Sequence, residues 1–167
     1  MTQGAEESVN PRLIFVCDDL AKLPRFPLPA GYRLKWHSPG DEHHWLRIHE
    51  LADRFTNIRP GLFRDKFGDD DAFLARRQVY ALDAAGTPVG TVTAWQGEFR
   101  GETIGRVHWL AVVPGHQGRG LGRALISVCC DCLMRDGFHR AYLVTGAART
   151  DALRLYSSMG WLVTSPG

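Results

Sequence analysis

The stretch Val113-Pro114-Gly115-His116-Gln117-Gly118-Arg119-Gly120-Leu121-Gly122 constrains this chain more than any other. It lies between an apolar run that reads as a strand, Ile104–Val113, and a helical pattern from about Gly120 to Asp136. Glycines let a backbone approach a ligand closely and turn successive N–H groups toward it. A helix beginning at the end of the loop adds unpaired N–H donors and the positive end of its dipole. Together these make an anion site of the kind that suits a phosphate.

Two common phosphate loops do not match. A Walker A loop needs Lys-Ser/Thr directly after its second glycine. Gly115 and Gly120 have the spacing, but Leu121-Gly122 follow. A dinucleotide loop needs Gly-x-Gly-x-x-Gly after the first strand of its domain. Gly118-x-Gly120 is followed by Gly122-Arg123, and the loop comes late, behind a hairpin.

That hairpin is Val79–Asp83 and Val89–Gln96, turned at Ala85-Gly86-Thr87-Pro88. Upstream, residues 1–10 read as a flexible tail and residues 11–31 as an N-terminal arm. The arm opens with the β-like run Leu13–Cys17 and is then kept irregular by Pro24, Pro27 and Pro29. The domain proper is expected over residues 32–167. It starts with a strand at Tyr32–His37 and a helix from Asp41, near its N-cap, to about Arg54. Trp45, Ile48, Leu51 and Ala52 recur there at helical spacing. Short helical pieces are expected at Leu62–Phe67 and Ala72–Arg76. Beyond the long helix, which Gly137 ends, come a strand at Ala141–Thr145, a helix at Thr150–Met159 and a strand at Trp161–Thr164. Such an order predicts one α/β domain with a mixed sheet.

Composition narrows the partners. The 167 residues carry a net charge of +2 with scattered Lys and Arg, which argues against a nucleic-acid binder. No apolar run is long enough to cross a bilayer, and the polar start Met1–Asn10 does not resemble a signal peptide, so a cytoplasmic setting is expected. Cys129, Cys130 and Cys132 crowd into one helix instead of forming a disulfide framework with Cys17. They read as small apolar helix residues, and no metal site is expected. His43, His44 and His49 lack a metal-binding spacing and read as surface or partly buried histidines. Asp69-Asp70-Asp71 reads as a solvated loop, with attraction of an amine substrate as the alternative.

Gln117-x-x-Gly120-x-Gly122 after Leu110-Ala111-Val112-Val113-Pro114 resembles the acyl-CoA loop of the GCN5-related N-acetyltransferase (GNAT) superfamily. The segment Ala152-x-x-Leu155-Tyr156-x-x-x-Gly160-Trp161 is similar to the second signature of that family. The resemblance implies a central, mostly antiparallel sheet, splayed at the cofactor strand and flanked by helices. It implies acetyl-CoA as co-substrate and direct attack on the thioester by an amine of a small molecule or peptide. Leu110, Ala111 and Val112 are then expected to pair with the pantetheine arm like an added strand. Gln117, Gly118, Arg119, Gly120, Leu121 and Gly122 are expected to hold the pyrophosphate. Arg119 and Arg123 are read either as phosphate or adenosine contacts or as solvated charges.

Direct attack needs one acid and one base and no protein nucleophile. Tyr156 matches the family tyrosine near the CoA sulfur and is the expected acid. His108, in a pattern similar to the arylalkylamine N-acetyltransferases, is the expected base, directly or through water. Alternation along the strand places residues 106, 108, 110 and 112 on one face. A water chain without a dedicated base is the alternative, since the glutamate many members carry on this strand is missing here. A non-catalytic acyl-CoA-binding module or sensor is the alternative to an enzyme.

Two departures stand out. Arg149 occupies a position where the family often has a cofactor-supporting asparagine, and either it contacts the cofactor in its place or the loop is rearranged. Only one strand follows the last helix, where the family usually has another, so Leu13–Cys17 is expected to fill that edge. Phe55, Phe63 and Phe67 fall where the family builds its acceptor site, and either line it or fill the core. Homodimers occur in the family, and nothing in the residues decides the point.

Overall fold

A computed structural model describes residues 10–164. Except for Asn10, the tail expected at residues 1–10 lies outside them. Seven strands form one sheet: β1 (Arg12–Cys17), β2 (Arg33–Trp36), β3 (Gln78–Leu82), β4 (Pro88–Phe99), β5 (Glu102–Val112), β6 (Ala141–Gly146) and β7 (Leu162–Thr164). Five helices pack on it: α1 (Glu42–Ala52), α2 (Leu62–Phe67), α3 (Asp71–Leu74), α4 (Leu121–Arg135) and α5 (Thr150–Ser158). The strand order is β2-β3-β4-β5-β6-β1-β7. Only β5 and β6 run parallel; the other neighbours are antiparallel.

The expected elements are present, with β4 and β5 longer than their sequence patterns suggested. Strand β1 does supply the missing strand, but from inside the sheet. It pairs with β6 along its whole length, Arg12↔Gly146 to Cys17↔Ala141, and with β7 on its other side. The alternation explains the placement. Phe15 and Cys17 are buried while their neighbours are less so, and Phe15 packs against the ring of Tyr156 at 5.6 Å.

Asp41 stands at the N-cap of α1, but its side chain does not cap the helix. It accepts instead from the Ser38 N–H at 2.9 Å and pairs with Lys35. Leu51, expected on the inner face of α1, is exposed. The buried face is Trp45, Ile48 and His49. His49 follows Trp45 by four residues and so shares its face; it is wholly buried, not at the surface. In the acidic triplet, Asp70 caps α3 through the Phe73 N–H and Asp71 bonds His37 at 2.7 Å.

The four cysteines are buried free thiols. Desolvation pushes Cys129 well above the usual thiol range and Cys130 up to about 12, so neither supplies a thiolate. No helix among the described residues is long and apolar enough to cross a membrane. No group of three or more His, Cys, Asp or Glu among them could hold a metal ion.

Candidate active site

The two sheet faces are covered differently. On one, α4 lies over β4 and β5, close enough that a side chain at Gly90 would meet Leu125. On the other lie α1, α2 and α3, whose Trp45, Phe67 and Phe73 touch Trp95 or Trp109.

Between these layers the sheet splits. Strands β5 and β6 are paired only at Gly105↔Ala141 and Arg106↔Tyr142. Beyond Arg106, the β6-facing edge of β5 has no strand partner among the described residues, while its other edge stays paired to β4 as far as Val112↔Gly90. The segment Leu110–Val112 is therefore a half-paired strand, open to a ligand that adds its own hydrogen bonds.

A bulge sits in the same segment. Thr93 faces His108 and Thr91 faces Ala111, so Trp109 and Leu110 together stand opposite Val92. Trp109 takes φ 51°, a left-handed conformation that is costly for a bulky side chain. Packing against Trp45 and His49, ring centroids 5.2 Å away in each case, offsets that cost. The bulge overturns the simple alternation. Arg106, His108 and Ala111 face the α1–α2 side, as the residues opposite them do, while Val112 faces α4 with Gly90. A single face of residues 106, 108, 110 and 112 does not exist.

Beyond Val112 the chain makes a 3-10 turn, Pro114–His116, and enters α4 through Gly118 (φ 76°) and Gly120 (φ 87°). Both glycines are left-handed, a conformation that side-chain-bearing residues enter at a cost. No side chain caps α4, so its first N–H groups are left for a ligand. The Gln117 amide donates to the Val112 carbonyl at 2.9 Å and ties loop to strand. Among the described residues Arg119 and Arg123 have no carboxylate partner. Arg119 reaches the Tyr32 hydroxyl at 3.4 Å, and Arg123 lies 4.6 Å over the Phe26 ring. Tyr32 also hydrogen-bonds His116 Nδ1 at 2.7 Å. The proline-rich arm thus frames the loop, a role its composition did not announce. Gly120→Ala should weaken acetyl-CoA binding about 10-fold, since the strain is about 1–2 kcal/mol. Unchanged affinity by calorimetric titration would show that this backbone does not carry the binding.

Tyr156 is buried on α5. Desolvation raises its phenol to about 12, with Arg149 opposing the shift. Its hydroxyl makes no hydrogen bond to another described residue. His108 lies in an aromatic surround: its ring stacks on Trp95 at 6.0 Å and meets Phe67 at 5.8 Å. Burial, then Arg106, Lys66 and His49, lower its pKa to about 3. His49 is depressed to about 4, chiefly by burial, and its Nε2 has no partner.

Of the phenylalanines, Phe67 borders His108, and Phe63 is sealed in the core between His37 and Trp45. Phe55 is exposed, with Arg54 and Arg149 over its ring at 4.9 and 5.1 Å. Arg149 makes an ion pair within the chain. It reaches both Asp53 oxygens at 2.9 Å, tying the loop after α1 to the start of α5. Asp53 also accepts from the N–H groups of Phe55 and Thr56. Burial would raise the Asp53 pKa, but the guanidinium and these N–H groups win and hold it below the usual carboxylate range. Arg149→Met should cost about 2 kcal/mol, because it strands a buried carboxylate, read as a lower denaturant midpoint. Acetyl-CoA affinity should change less than about 3-fold; a larger loss would mean that Arg149 serves the cofactor directly.

Sequence reasoning placed His49 at or near the surface and passed over any role for Trp109, Asp53 and Arg106. Helical phase could have found His49. The bulge at Trp109 and the Asp53–Arg149 tie arise from partners distant in sequence and leave no local signal.

The family model described as Acetyltransferase (GNAT) family matches residues 32–161. The chain is 33% identical over 145 residues to a mycothiol acetyltransferase of Thermobispora bispora, covering 83% of this chain and 49% of that one. It thus spans about half the length of the curated relatives it matches. A GCN5-related N-acetyltransferase from Sphaerobacter thermophilus superposes with a TM-score of 0.71 at 23% identity, covering 93% of this chain and 49% of that chain. The NatC complex bound to Gag peptide and CoA gives a TM-score of 0.64 at 19% identity, covering 80% of this chain and 86% of the matched one. With the family model matching most of its length, and with the splayed sheet and glycine loop in place, the chain belongs to the acetyltransferase (GNAT) family.

Proposed function

We propose that this protein transfers an acetyl group from acetyl-CoA to a primary amine of a small molecule or peptide. The observation that carries the reading is the junction at Arg106: the strands part there, and the open edge of β5 runs straight into a glycine loop and an uncapped helix start. An extended pantetheine arm fits the edge, and its pyrophosphate fits the N–H groups of Gly118 to Gly122 with Arg119 and Arg123 beside them. Acetyl-CoA supplies an activated acyl carbon and a thiolate leaving group.

The chain's own residues would manage two protons as the C–N bond forms and the C–S bond breaks. Tyr156 stays protonated at any working pH, because burial raises its phenol. It is suited to donating a hydrogen bond, and then its proton, toward the departing sulfur. His108 stays neutral at working pH and so has a lone pair free. It is too weak a base to strip a free alkylammonium, whose pKa is near ~10.4 if lysine-like. The amine must therefore arrive uncharged. Its nitrogen becomes far more acidic as it bonds to the acyl carbon, and only then can His108, through water, take the proton. The Asp53–Arg149 tie holds the loop carrying Phe55 against α5.

The depressed basicity of His108 also favours a second reading, a non-catalytic acyl-CoA sensor. Thiol release with acetyl-CoA and an amine panel separates them. Amine-dependent release of CoA supports the enzyme; tight acetyl-CoA binding with no release for any amine supports the sensor.

A further inference from the structure

The acceptor side of the splay carries two cations that the fold leaves unused. Arg106 is the last β5 residue paired to β6, so its side chain stands where the strands part. It faces the same side as His108, with Trp95 opposite on β4 and Tyr142 opposite on β6. Its guanidinium lies 5.3 Å over the Tyr142 ring, and its Nε is buried without a hydrogen-bond partner. Lys66, on α2, lies over the next ring along β5, with Nζ 5.9 Å from the Trp109 ring centroid. Both are near enough to His108 to act on its charge. Among the described residues neither has an ion-pair or hydrogen-bond partner.

Carboxylates on the same and neighbouring elements have other partners. Glu42 holds Arg64 at 3.1 Å, Asp65 pairs with Arg59, Asp71 bonds His37 at 2.7 Å, and Glu98 accepts from Thr103. A buried N–H donor without an acceptor is an energetic debt in the free protein. A ligand oxygen can discharge it, and guanidinium and ammonium together select an anionic one. Aromatic rings pack around His108 on the same face: Trp95, Trp109 and Phe67.

We infer that the acceptor amine carries an anionic group, a carboxylate or a phosphate, which Arg106 at the vertex of the splay and Lys66 on α2 hold beside His108. This rests on the transferase reading above and names the class of its acceptor. A neutral or polycationic amine would meet two cations and no counter-charge.

Matched amines test it: phenylalanine against phenylalaninamide for the carboxylate, and O-phosphoethanolamine against ethanolamine for the phosphate. For the full chain, kcat/KM expressed on the concentration of uncharged amine should favour the anionic member of at least one pair by 10-fold or more, and that pair identifies the group. The ratio should fall toward 1 in Arg106→Met, recover in part in Arg106→Lys, and drop several-fold in Lys66→Ala. Because a ratio is read within one preparation, partial unfolding of Arg106→Met does not mimic the result. A wild-type ratio at or below 1 in both pairs, or a ratio that the substitutions leave unchanged, overturns the inference while leaving the transferase intact. If no amine releases CoA, the transferase reading fails separately. Heat stabilisation of the CoA-loaded protein by N-acetylphenylalanine and N-acetylphosphoethanolamine, each against its uncharged counterpart, then still decides the anion site: preference for an acid supports it, and indifference in both pairs overturns it.

Discussion

Tyr156→Phe is expected to lower kcat about 100-fold, a loss of about 2.7 kcal/mol of transition-state stabilisation. The Kd for acetyl-CoA should stay within about 3-fold. The ring is part of the core, against Phe15, and removing only the hydroxyl preserves that contact. The lost atom is a buried phenol that makes no hydrogen bond to another described residue and whose deprotonation burial opposes. A group so placed does little for the fold, and on the proposed mechanism it would donate when negative charge develops on sulfur. The phenol being raised to about 12, the wild-type rate should show no loss from Tyr156 ionisation up to about pH 10. Pre-steady-state CoA release in the Phe variant checks the magnitude. A variant that turns over at the wild-type rate removes Tyr156 from the chemistry.

Stability is expected to fall by about 3 kcal/mol between pH 6.5 and 5, a second large effect. His49 and His108 have native pKa values lowered to about 4 and about 3, mainly by desolvation. In the unfolded chain both return to about 6.5. Above that value both states are neutral and the two histidines contribute no pH dependence. Below it the unfolded state takes up protons that the native state refuses, so each group costs up to about 1.4 kcal/mol per pH unit until its native pKa is reached. Asp53 and Asp41, held low by Arg149 and by Lys35, act in the same direction further down, as their stabilisation is lost when they protonate. Denaturant midpoints at pH 7.5, 6.5, 5.5 and 5, at constant m, measure the slope. His108→Asn should remove about half of it. A flat profile from pH 7 to 5 would mean that neither ring is desolvated in solution.

Both predictions depend on the environment of a residue whose presence was obvious from the start. Tyr156 was legible because its signature, Leu155-Tyr156-x-x-x-Gly160-Trp161, is local. The tyrosine points inward on α5, and Trp161 closes the helix end through its N–H to the Tyr156 carbonyl at 3.1 Å. His108 was legible as a strand histidine, but its direction was not. The bulge at Trp109 changes the parity of everything after it, and a bulge is a property of how β4 and β5 register. Arg149 was legible as a departure at a cofactor position. Its actual partner, Asp53, lies on a loop 96 residues away.

The loop from Val113 to Gly122, with the apolar run before it and the helix after it, was determined by sequence alone. Left-handed glycines, a helix start and strand patterning are short-range matters, settled by φ, ψ and side-chain alternation within a few residues. Fold class followed from them, and the family from the resemblance of this loop and of Ala152–Trp161 to two family signatures. Tertiary structure decided the rest. It inserted β1 between β6 and β7, opened the sheet beyond Arg106, turned His108 and Trp109 toward the α1–α2 side, and left Arg106 and Lys66 without a counter-charge among the described residues. Each of these depends on which distant groups are brought close and which are kept apart. Desolvation and Coulomb interactions act through space, so no reading of neighbours along the chain could have supplied them.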